Sequence, residues 1–187
     1  MKVVKHDLPG VYVLEPQVFG DARGFFLEFY NARKFAELGI DRRFVQDNHS
    51  RSARGVLRGL HYQLGHPQAK VVRVIVGEIF DVALDVRRGS PTFGQFTSHR
   101  LSAENKHQMF IPEGFAHGFY VLSDVAEITY KCSESYAPAD ERGIVWDDPA
   151  LGIPWPLAGA APLLSARDQA FGTLRTRPAA DLPVYAP

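Results

Sequence analysis

Residues 70–86 constrain the fold more than any other stretch. Lys70-Val71-Val72-Arg73-Val74-Ile75-Val76 is a β-branched run too short for a buried helix, and Gly77-Glu78 breaks it. Asp81-Val82-Ala83-Leu84-Asp85-Val86 then alternates polar with apolar residues, the pattern of a half-buried strand. The whole stretch reads as two strands joined by a hairpin turn at Gly77-Glu78. Two strands leave apolar faces that further sheet must cover, so the rest of the chain has to be largely β.

It supplies that sheet. Val11-Tyr12-Val13-Leu14 is short, apolar and ends near Pro16; Gly24 to Tyr30 mixes aromatic residues with Glu28; Gly118 to Tyr130 reads as an apolar strand pair broken at Ser123-Asp124. Helix signals are few. Asn31 caps an expected helix from Ala32 to Leu38 that Gly39 closes, and Ser165-Ala166-Arg167-Asp168 opens a second short one. Residues 146–156 carry too many prolines for a central strand and read as a loop held by Trp146 and Trp155. Short strands with Gly/Pro turns predict an all-β sandwich or barrel with a few short helices.

Bulk properties exclude several classes of function. Lys+Arg and Asp+Glu both number 21, so there is no basic surplus for non-specific nucleic-acid binding. No apolar run is long enough to span a membrane, and Met1 to Asp7 lacks the apolar stretch of a signal peptide. Cys132 is the single cysteine, which suits a reducing compartment. These points predict a soluble cytoplasmic protein of one domain, residues 1–187.

The chemistry concentrates in Arg58-Gly59-Leu60-His61-Tyr62-Gln63 followed by Lys70, which reads as one buried strand. Charge inside a sheet is costly unless it is paired or used, so Arg58, His61 and Lys70 together predict a polar cavity. Pro112-Glu113-Gly114-Phe115-Ala116-His117 is similar to the second metal motif of cupin jelly rolls. Gln63 stands where the first cupin motif has its second His, and no acid lies between His61 and Lys70. A divalent site needs three or four ligands, so a cupin-like barrel without a metal is expected. Tyr130 ends an apolar strand, where it packs the core or, turned into a polar barrel, serves as an acid. Asp168 follows Ser165 by three residues, as a helix-capping acid does; bonded to His61 it would instead fix that imidazole's tautomer. Arg residues beside a polar pocket suit a diphosphate, and no Gly-rich phosphate loop is present.

Taken together these blocks resemble the dTDP-4-dehydrorhamnose 3,5-epimerase family. The blocks are residues 20–26, 46–50, 55–63, 68–72, 111–119, 130–133, 146–149, 155–156 and 164–168. The resemblance implies a metal-independent, cofactor-free jelly-roll homodimer acting on dTDP-4-keto-6-deoxyglucose to give dTDP-4-keto-L-rhamnose. It implies His61 as base, Asp168 as its carboxylate partner and Tyr130 as acid on the opposite face. Arg23, Phe26, Glu28, Gln46, Asn48, Arg58, Lys70, His117, Glu141 and Arg167 would bind the nucleotide sugar, and Tyr136 would stack on thymine. Arg167 stands where the family often has Lys and keeps the charge. Lys70 suits the enolate that forms when a proton leaves C3 or C5 beside the C4 ketone. A relative that inverts one centre only would use the same groups.

Overall fold

The structure is a computed structural model that describes residues 1–5 and 7–186. In chain order it comprises β1 (Lys2–Lys5), β2 (Tyr12–Glu15), β3 (Val18–Asp21), β4 (Gly24–Leu27), α1 (Ala32–Glu37), β5 (Gln46–Ala53), β6 (Leu57–Gln63), β7 (Lys70–Val76) and β8 (Glu78–Asp85). It continues through β9 (Phe96–Ser102), β10 (Gln108–Ile111), β11 (Phe115–Val121), β12 (Val125–Cys132), β13 (Glu141–Gly143) and α2 (Ala166–Ala170). The helices start where the capping residues place them. Asn31 Oδ1 accepts from Lys34 N at 3.3 Å, and Ser165 Oγ accepts from Asp168 N at 3.1 Å.

One antiparallel sheet runs β1-β2-β10-β7-β12-β5 and the other β13-β6-β11-β8-β9; β3 and β4 form a separate two-stranded ribbon. From β5 to β8, and again from β9 to β12, each strand belongs to the sheet its predecessor does not. Strands that switch between two face-to-face antiparallel sheets in this way make a jelly roll. Val13, Val72, Met109 and Ile128 from one sheet meet Ile79, Leu101 and Phe119 from the other in the central core.

This alternation corrects three sequence expectations. Gly77 does not turn a hairpin: β7 and β8 lie in different sheets, and the chain crosses the barrel between them. Gly77 adopts φ +77°, and a Cβ there would stand 2.0 Å from the Val125 carbonyl oxygen, so the crossing is too tight for a side chain. The strands on either side of Ser123-Asp124 likewise belong to opposite sheets. Arg58 and His61 share β6, whereas Lys70 opens β7 in the other sheet.

The strand β8 is also not half-buried. Its residues from Asp81 to Asp85 are all buried, because both of its faces are covered. Ile79 and Ala83 face the central core. Val82 and Leu84 pack under the C-terminal segment, against Trp155, Leu174 and Leu182. Residues 146–156 form no strand, and Trp155 Nε1 donates to the Trp146 carbonyl at 2.7 Å. Over the outer face of the other sheet, Phe35 of α1 packs with Leu14, Val71 and Phe110. Among the described residues, no helix is long and apolar enough to cross a membrane.

Candidate active site

A cavity of about 310 Å³ opens between the two sheets. From one side it is lined by Arg58, His61 and Gln63 of β6 and His117 and Phe119 of β11. From the other come Gln46, Asn48 and Ser50 of β5, Lys70 of β7 and Tyr130 of β12. Tyr136 and Glu141 line it near the end where β13 begins. The period of two along each strand explains the selection: His61 and Gln63, His117 and Phe119, and Gln46, Asn48 and Ser50 each fall on one face.

His61 is held from several sides. Its Nε2 lies 2.5 Å from Asp168 Oδ1, and the carboxylate is itself set by the Ser165 cap of α2. A carboxylate only accepts, so Nε2 carries the proton and Nδ1 is left to take one. Burial pushes the Asp168 carboxyl up, but hydrogen bonds from His61 and Ser165 outweigh it and hold the group below the usual Asp range. Nδ1 lies 3.7 Å from Glu141 Oε1. The Phe171 ring meets the imidazole edge-on at 5.6 Å between centroids. Gly143, the register partner of His61, makes room for that ring: a Cβ there would stand 2.3 Å from Phe171 Cε2.

Two groups face the base from the opposite sheet. Burial pushes the Tyr130 phenol above its usual value, so it is a protonated donor at neutral pH. Burial also lowers the Lys70 ammonium, while Cys132 and the Asp81 carboxylate act to raise it. Among the described residues Lys70 has no ion-pair partner, which leaves its charge to the cavity.

A polar network shapes the rest. Arg58 donates from Nε and Nη2 to Ser52 Oγ at 3.2 and 3.1 Å. Gln46 Nε2 donates to Asn48 Oδ1 at 3.0 Å, and Gln46 Oε1 accepts from Tyr136 N at 2.8 Å. The Tyr136 hydroxyl donates to Glu141 Oε2 at 2.7 Å, and Arg167 forms an ion pair with the same carboxylate. Gln63, in the place of a cupin ligand, instead ties two loops together: its Nε2 donates to the His66 and Ser135 carbonyls and its Oε1 accepts from Ala137 N. His61 and His117 are each paired with a carboxylate. Among the described residues, no three His, Cys, Asp or Glu side chains converge as a metal site.

The structure thus brings His61, Lys70, Tyr130, Asp168, Gln46, Asn48, Arg58, His117, Tyr136 and Glu141 together, with Arg167 beside Glu141. Three candidates lie elsewhere. Arg23 sits in the β3–β4 turn and pairs with Asp21 at 2.5 Å; Phe26 on β4 is 69% exposed; Glu28 pairs with Lys34 at 2.7 Å. Sequence reasoning also missed Ser50, although the Gln46–Asn48 spacing extends to it, and it missed that Glu141 approaches the base.

A profile of the dTDP-4-dehydrorhamnose 3,5-epimerase family matches residues 5–176. The dTDP-4-dehydrorhamnose 3,5-epimerase of Pseudomonas aeruginosa is 62% identical over 170 residues, covering 90% of this chain and 93% of that one. The crystal structure of the Legionella pneumophila dTDP-6-deoxy-D-glucose-3,5-epimerase in complex with dTDP-4-keto-L-rhamnose is 50% identical. It aligns with a TM-score of 0.96 over 100% of this chain and 99% of that one. ChmJ, a 3'-monoepimerase from Streptomyces bikiniensis solved with dTDP-quinovose, is 38% identical, with a TM-score of 0.89 over 97% and 93% of the two chains. With the cupin-like jelly roll and its lined cavity, these matches establish that the chain belongs to the dTDP-4-dehydrorhamnose 3,5-epimerase family.

Proposed function

We propose that this protein converts dTDP-4-dehydro-6-deoxy-D-glucose to dTDP-4-dehydro-L-rhamnose by inverting C3 and C5. The observation that carries this reading is the opposed pair of sheets. The His61–Asp168 dyad stands on one side of the cavity, and Tyr130 and Lys70 stand on the other.

The chemistry follows from that opposition. His61 Nδ1 takes the proton from C5 or C3, and the C–H pair moves into an enolate whose charge collects on the C4 oxygen. The Lys70 ammonium stabilises that oxygen, in the manner of an oxyanion-hole donor. Tyr130 returns a proton to the opposite face, so the centre inverts. The His61 proton passes to water, and the Tyr130 oxygen takes one back. One C–H bond breaks and one forms at each centre, so no redox cofactor takes part. Arg58 and Arg167 supply charge for the diphosphate, and Tyr136 an aromatic face for thymine.

We also propose a homodimer. Arg23 and Phe26 lie away from their own cavity, on a ribbon that leaves Phe19, Phe25 and Phe26 more than half exposed (54%, 63% and 69%). That surface suits a second copy, and brings Arg23, Phe26 and Glu28 toward the partner's cavity. A dTDP-sugar substrate and the unpaired Cys132 support a cytoplasmic setting.

Proton NMR of dTDP-4-dehydro-6-deoxy-D-glucose with the protein in deuterated water is the test. Deuterium at both C3 and C5 is the expected result. Label at one carbon means a monoepimerase, as ChmJ is; no label ends the reading.

A further inference from the structure

The chain buries a second imidazole–carboxylate dyad, beside the first. His117 on β11 is the register partner of His61 on β6, so the two side chains are cross-strand neighbours. His117 Nε2 lies 2.7 Å from Asp81 Oδ1. Asp81 is fully buried in the wall of the barrel, and among the described residues its Oδ2 has no hydrogen-bond partner. A buried carboxylate with one oxygen unsatisfied destabilises a core unless its charge is used. Apolar neighbours on the same face, Ile79 and Ala83, show that position 81 needs no charge for packing.

Among the described residues, few charged or titratable groups face Asp81. From β11 comes His117, from β9 its register partner His99, and from β7 the Lys70 ammonium, which the Asp81 charge helps to keep protonated against burial. His99 is itself turned to His107, with Nε2 to Nδ1 at 2.9 Å, so His117 is the ring that Asp81 holds.

Resting on the epimerase reading above, we infer that Asp81 is a positioning residue of this cavity: it locks the His117 tautomer and presents Nδ1 to the sugar nucleotide. A carboxylate accepts only, so the Nε2 proton is committed to Asp81 in either charge state of the ring. Nδ1 has no partner among the described residues and faces the ligand as a lone pair when His117 is neutral. Asp81 thus does for a binding imidazole what Asp168 does for the reacting one, and never touches the substrate.

The experiment pairs a spectrum with a mutant cycle. In wild-type protein labelled with 15N-histidine, and with His117 assigned by comparison to His117→Gln, neutral His117 should carry its proton on Nε2. A neutral Nδ1–H tautomer overturns the inference, and this readout needs neither substrate nor a variant of Asp81. In kinetics, Asp81→Asn should raise KM about tenfold, apart from any fall in kcat that follows from losing the charge beside Lys70. The Asp81→Asn/His117→Ala double variant should raise KM no more than His117→Ala alone, the mark of a residue acting through another. KM increases that multiply would make Asp81 merely structural and sink the proposal. If wild type fails to turn over the dTDP-sugar, the functional reading falls, while the imidazole spectrum still decides the role of Asp81.

Discussion

Lys70 and His61 are close in the chain but stand in opposite sheets, and they meet the same cavity from its two sides. A base and an electrophile on one strand would sit side by side. Placed on facing sheets, they leave a slot between them in which a ketone can lie with its α-proton toward one and its oxygen toward the other. The expected consequence is separable. Lys70→Met should lower kcat by about a hundred- to a thousandfold, as for loss of an oxyanion-hole donor. Because burial depresses Lys70, its ammonium is lost as pH rises through a value below the usual lysine figure of about 10.4. Wild-type kcat should therefore fall on an alkaline limb below that pH, and Lys70→Arg should move the limb upward.

Tyr130 tests the two-faced mechanism. Its phenol is protonated well past neutrality, so removing the hydroxyl removes the acid and leaves the base. Tyr130→Phe should still wash deuterium into the substrate but lose inversion, C5 most of all. Normal inversion of both centres in that variant would leave Tyr130 as a packing residue. The check is the label pattern together with the configuration of the product.

Asp168→Asn should lower kcat by about a hundredfold or more, within the usual range for general acid–base catalysis. It also makes a stability prediction with a definite sign. The folded carboxyl titrates below its unfolded value of about 3.9. Its contribution to stability is thus present above that pH and lost as pH falls through the depressed folded value. Urea unfolding should find wild type more stable than Asp168→Asn at pH 6, with the gap closing in acid.

Gly77→Ala should cost roughly 2–4 kcal/mol, from a strained positive φ and a clash with the Val125 carbonyl. Gly143→Ala should be milder for the fold and harsher for the reaction. Its Cβ would displace the Phe171 ring from the edge of His61. Urea midpoints and kcat, measured on both variants, separate the two effects.

The elements themselves were legible in the sequence wherever a local rule governs them. Asn31 and Ser165 cap the helices they announce, and the breaks at Gly77 and Ser123-Asp124 fall between strands. What local rules do not carry is the partner of each strand. The same Gly77 serves a hairpin or a crossing between sheets, and only closure of the barrel selects the second. The burial of Asp81 escapes local rules for a related reason. Alternation along β8 looks like one wet face, but the C-terminal segment covers Val82 and Leu84 on the outer side, and Asp81 shares the inner face with Ile79 and Ala83. The site residues on strands were marked by polarity out of place, His61 and Lys70 above all. Glu141 enters beside His61 because β13 joins the edge of the second sheet next to β6, a pairing between distant parts of the chain.

The crossing of the chain from sheet to sheet has a kinetic corollary. Between β5 and β8, and again from β9 to β12, no strand pairs with its immediate successor, so a growing nucleus gains little from neighbours in sequence. Loop-closure entropy must be met before most pairings stabilise anything, which places this chain among the slow, high-contact-order folders. The catalytic groups inherit that dependence. His61 resides on one sheet, Lys70 and Tyr130 on the other, and α2 delivers Asp168 from near the C-terminus. No excised fragment carries a working fraction of the site, and enzymatic competence should arrive in a single phase, together with the last sheet to close.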